Sequence, residues 1–168
     1  WSIQPSGVVS SAFLNAFTQF AKEILEINTL PAHLYLNDKY HNSLTDGYET
    51  IALAVCLLGD RLQVRDLVGG KLCFSGKELA DKVWSGPKGL NFFVANAFDR
   101  KGTYWELSST YACHCLRYIL PMLQLGKCQG RIFEPALLQK MGVVIKELIR
   151  EIFPNGELPP VNESHTGR

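Results

Sequence analysis

Apolar residues recur at three- and four-residue steps along most of this chain, and that period belongs to α-helices rather than strands. Across residues 8–26, Phe13, Leu14, Phe17, Phe20, Ala21, Ile24 and Leu25 form one side. Asn15, Thr18, Gln19, Lys22, Glu23 and Glu26 form the other. Asn28-Thr29-Leu30-Pro31 then closes this helix and opens a short one through Tyr35. Thr45 and Glu49 bracket the start of a segment that runs through 51–58 and stops at Gly59. It is apolar all round, which predicts a central buried helix, with a buried strand as the alternative.

Later segments carry their own punctuation. Two apolar arms within 62–74 flank Gly69-Gly70, a pair suited to the positive φ values of a tight hairpin; a short helix and loop is the competing reading. Ser75 and Glu78 form a capping box for a helix through Trp84, which Gly86-Pro87 breaks. Pro87 suits the first turn of the next helix, over LNFFVANAF. Thr103 and Glu106 form a second capping box, opening an amphipathic helix over 103–125 that Pro121 must kink or end. Pro135 opens the last helix, whose stripe is Leu137, Leu138, Met141, Val144, Ile145, Leu148, Ile149 and Ile152.

The fold class expected is mainly α: one compact domain over 1–153, with about six or seven helices and a short β-hairpin near 62–74. Residues 154–168, rich in proline and polar groups, read as a mobile C-terminal tail. Phe17, Phe20, Leu116, Ile119, Met141, Ile145 and Leu148 should be buried, together with Trp84, Trp105, Phe92 and Phe93. A chain of 168 residues is long enough to bury roughly two-thirds of its unfolded surface. Its longest apolar run, 51–58, falls far short of the ~20 residues that span a bilayer. The first residue is Trp1, which suggests a processed product or an excised domain.

Few residues invite chemistry. In Cys113-His114-Cys115 the two thiols would lie about 200° apart on a helix, so both cannot bind one ion. Tetrahedral zinc would need four ligands, which only the distant Cys128, His33 and His41 could help complete, and no metal or cofactor is expected. Cys113 is the reactive-thiol candidate, because Arg117 one turn on would lower its pKa. His33 and His41 bracket Asp38, with Asp46 and Glu49 beyond, but spacing alone assembles no triad. Gly69-Gly70-Lys71 lacks the first glycine and the hydroxyl of a phosphate-binding loop. No catalytic motif is present, so no catalytic residue is assigned.

Charge is uneven. Residues 1–59 carry two Lys/Arg and five Asp/Glu, residues 60–131 eleven and six, and residues 132–168 four and five. The basic middle offers Arg61, Arg65, Lys71, Lys88, Arg100, Lys101, Lys127 and Arg131 to phosphates, with Tyr104 and Trp105 near enough in sequence to stack on bases. Three functions follow. The leading one is a non-enzymatic helical domain for protein–protein interaction or assembly, its partner another protein or a second copy. The alternative is a structural protein of the nucleoprotein or coat type that binds single-stranded nucleic acid through 60–131. A thiol-dependent enzyme is the second alternative. Five cysteines, an odd number without a secretory signal, point to a reducing, intracellular and cytoplasmic setting.

Overall fold

The computed structural model describes residues 10–29, 42–67 and 73–159. Among these, six α-helices dominate: α1 (Ser11–Ile24), α2 (Ser43–Leu58), α3 (Gly76–Trp84), α4 (Leu90–Ala97), α5 (Ser109–Cys128) and α6 (Pro135–Glu151). α1 runs on into a π-helical turn at Leu25–Thr29, and a 3-10 turn at Gly59–Arg61 follows α2. Two short antiparallel strands, β1 (Gln63–Val64) and β2 (Phe74–Ser75), pair Gln63 with Ser75 and Val64 with Phe74. The chain is therefore mainly helical with one small hairpin. Gly69-Gly70, the expected hairpin turn, and the short helix expected through Tyr35 lie outside the described residues.

α2 is the centre of the packing, with α5, α3 and the π-helical turn against it. It buries Leu44, Tyr48, Ile51, Ala52, Val55 and Leu58, as its apolar circumference predicts. α4 rests on α6, and α6 on α5. Two polar groups drawn into this interior are partnered: the Tyr48 hydroxyl donates to the Lys88 carbonyl at 2.7 Å, and Trp84 Nε1 donates to the Met122 carbonyl at 3.1 Å. Leu116, Ile119, Met141, Leu148, Trp84 and Phe93 are buried, while Phe17 and Ile145 are half-buried against the core.

Helix starts separate local signals that hold from one that fails. The α3 capping box forms in full: Ser75 Oγ accepts from the Glu78 amide at 3.2 Å, and the Glu78 carboxylate accepts from the Ser75 amide at 2.8 Å. Pro135 opens α6. The box expected at Thr103–Glu106 does not form. Asp99 Oδ1 captures the amides of Lys101 and Thr103 at 2.8 and 2.9 Å, and Tyr104 bridges to Phe98 in extended pairing. α5 starts only at Ser108, whose hydroxyl caps the Tyr111 amide.

Prolines and stripes needed correction too. Pro87 lies in the turn before α4, which begins after Gly89. Pro121 does not end α5, which continues to Cys128. The carbonyl deprived of its donor belongs to Arg117, an exposed residue, so water can satisfy it. Phe20 is 59% exposed and Trp105 48%, so neither belongs to the core. Leu138, Ile149 and Ile152 are exposed as well, leaving the narrower stripe Leu137, Met141, Val144 and Leu148 facing inward. Of the expected tail, 154–159 are described and 160–168 lie outside the described residues. No helix among the described residues is long and apolar enough to cross a membrane.

Candidate interaction surfaces

The cations of the basic middle do not act alike. Arg65 closes on Glu26: its guanidinium meets Oε2 at 3.2 Å and its amide donates to Oε1 at 2.9 Å. Burial alone would push the Glu26 carboxyl up, but these bonds and the charges of Arg65 and Lys22 hold it below the usual glutamate value. Arg131 lies over the Trp84 ring at 4.8 Å and bonds Asp81 at 3.2 Å, a carboxylate that Lys77 also reaches at 3.1 Å. These two cations flank an open depression of about 410 Å³ between the end of α2 and the start of α3, but Asp81 already answers both and Asp60 lies in the wall. Arg61, Lys88 and Lys127 are exposed. Lys71 lies outside the described residues.

Arg100 and Lys101 share one turn. The Asp99 amide donates to the Thr103 carbonyl at 2.9 Å and the Gly102 amide to the Asp99 carbonyl at 3.2 Å, which pushes both cations to the tip. Lys140 of α6 donates to the Asp99 carbonyl behind them. Beyond the turn, Trp105 stands 48% exposed, its ring tilted against the Tyr104 ring. Tyr104 itself is buried against Phe98.

The thiol expected to be reactive sits where its surroundings raise its pKa. Burial and then the Glu151 charge raise the Cys113 pKa, and the Arg117 guanidinium sits over the Tyr118 ring instead of beside the sulfur. Burial pushes Cys115 up to about 12 and raises Cys56 as well. No three metal-ligating side chains gather among the described residues. His33, His41 and Asp38 lie outside them. What sequence reading missed is a pair: His114 Nε2 meets Asp46 Oδ1 at 2.9 Å, tying α5 to α2. The partners are 68 positions apart.

The most distinctive surface belongs to α1. Its Ser10 cap is in place, accepting from the Phe13 amide at 3.2 Å, yet none of its 14 residues is buried. Phe17 and Ala21 rest half-buried on the core. Phe13 and Phe20 are each 59% exposed, and the Phe13 ring stacks on Phe17 at 6.3 Å. Ile27, in the π-helical turn, is 65% exposed. Comparison with protein-family models, curated proteins and solved structures finds no match to this chain.

Proposed function

We propose that this chain is a non-enzymatic helical domain for protein–protein assembly, docking through the outer face of α1. One observation carries the reading: an amphipathic helix, properly capped, turns two phenylalanines to solvent and buries none of its own residues. Exposed large apolar groups aligned on one element mark an interaction face, because nothing inside the fold repays their contact with water. The raised pKa values of Cys56, Cys113 and Cys115 weigh against the thiol-enzyme alternative. The five unpaired cysteines support a reducing, intracellular setting.

The test compares the unaltered chain with Phe13→Ser/Phe20→Ser. An apolar dye should bind the unaltered protein and lose most of its signal in the variant, while unfolding stability changes by less than ~0.5 kcal/mol, as for surface positions. A loss above ~2 kcal/mol would assign both rings to the core and remove the reading.

Nucleic-acid binding is the second reading, and what favours it is the turn carrying Arg100 and Lys101 near exposed Trp105. Against it, Arg65 and Arg131 are committed to Glu26 and Asp81.

A further inference from the structure

Phe13 and Phe20 are seven residues apart on α1, the spacing of a seam between paired helices. Ala16 lies exposed between the two phenylalanines along α1, and its small side chain lets another helix approach closely there. The flanks are nearly uncharged: α1 has no acidic residue in its first turn, and Lys22 and Glu23 are its ionisable groups. Lys22 is half-buried and its charge acts on Glu26 of the same chain. Glu23 is exposed and accepts from Gln19 Nε2 at 2.9 Å.

Resting on the reading of α1 as a docking face, we infer that its partner is α1 of a second copy, antiparallel, with the two-fold axis passing beside Ala16. In that arrangement Phe20 of each copy packs beside Phe13 of the other, and the two alanines face each other where the helices approach most closely. Such a patch is self-complementary, as a two-fold contact requires. Charge selects the direction. Antiparallel pairing brings Glu23 against the amino end of the opposing α1, whose first-turn amides have no carboxylate of their own. Parallel pairing would set Glu23 against Glu23 and align the two helix dipoles.

The contact is small. Phe13 and Phe20, each 59% exposed, offer roughly 250 Å² of apolar surface per copy, given about 150–250 Å² for a whole aromatic side chain. That lies below the size of a permanent interface, so the dimer is weak and reversible.

Cross-linking in the full chain reads the geometry directly. In a Cys73→Ser/Cys128→Ser background, which removes the exposed native thiols, Ser10→Cys and Glu23→Cys are labelled with a short bis-maleimide, singly and mixed. Antiparallel pairing gives a cross-link in the mixture and little from either variant alone. Ala16→Cys cross-links to itself. Phe13→Ser/Phe20→Ser should raise the dissociation constant measured by sedimentation more than tenfold. Glu23→Lys, which leaves the apolar seam intact, should raise it roughly two- to fivefold. Self-linking of Ser10→Cys and of Glu23→Cys would overturn the antiparallel geometry. A chain that stays monomeric at several hundred micromolar would overturn self-pairing. The dye and stability comparison would still decide whether α1 is a docking face for a different protein.

Discussion

Three glycines provide a graded test of the packing, because alanine at each meets a different obstacle. Gly142 lies within α6, and a β-carbon built there meets nothing within 4 Å. Gly142→Ala should therefore stabilise by about 0.5–1 kcal/mol, the usual gain from removing a glycine inside a helix. Gly130, in the turn after α5, has φ +74° and equally open space. Alanine there bears only the left-handed conformation, about 1–2 kcal/mol, partly offset by a less flexible unfolded chain. Gly102 combines both obstacles. Its φ is +95°, and a β-carbon would come to 2.8 Å from Val144 Cα and 2.9 Å from the Val143 carbonyl oxygen. Those are backbone atoms of α6 and have no rotamer to change, so an overpacking cost of ~1–3 kcal/mol adds to the conformational one. Gly102→Ala should lose about 2–4 kcal/mol in all. Urea titration followed by far-ultraviolet circular dichroism measures the series by linear extrapolation. If Gly102→Ala falls within ~0.5 kcal/mol of Gly130→Ala, the turn at 99–102 does not press on α6. Destabilisation by Gly142→Ala would show that its face of α6 is covered.

Three further outcomes follow. With a thiol reagent at neutral pH, exposed Cys73 and Cys128 should react first, Cys113 more slowly and Cys115 slowest; Cys113 outpacing Cys128 would show that Arg117 governs it after all. Glu26, held below its ordinary 4.5, adds stability that is complete above that value and disappears as pH falls through the depressed pKa. Glu26→Gln should therefore lower stability at neutral pH and flatten the acid limb, and an unchanged acid limb would mean that the Arg65 pair contributes nothing. Single-stranded DNA should bind weakly through Arg100 and Lys101, with a log–log salt slope of no more than about 1.4 for two phosphate contacts. A slope several times steeper would restore the nucleoprotein reading.

What was legible in the chain was what its physics decides within a few residues. The Ser75–Glu78 box, Pro135 at the start of α6 and Gly59 at the end of α2 each act on their own turn, and each did what its residue type implies. Thr103–Glu106 carries the same letters as Ser75–Glu78 and fails, because a competitor lies just upstream. Asp99 claims the Thr103 amide that Glu106 would have held in the box, and Phe98 draws Tyr104 into pairing. Long-range choices left no local trace: nothing in the spacing joins Glu26 to Arg65, Asp46 to His114, or Trp84 to Arg131.

The α1 face was hidden for a different reason. Its apolar arc, from Ala16 round to Leu25, covers about 180° of the helix. A sequence shows how wide such an arc is but not how much of it one neighbour can cover. The core takes the half that includes Phe17, Ala21 and Leu25, and Phe13, Ala16 and Phe20 remain on the other. Phe20, expected in the core, is 59% exposed instead, because it lies on the half of the arc that the core does not reach. Among the described residues the core leaves Phe13, Ala16 and Phe20 of that arc exposed, and this surplus is what the proposed pairing with a second α1 would cover. Phe13 and Phe20 flanking Ala16 make a face narrow enough for one partner helix, the occupant proposed above. For that reason the cross-linking of Ala16, Ser10 and Glu23 bears on the function of the chain as well as on its geometry.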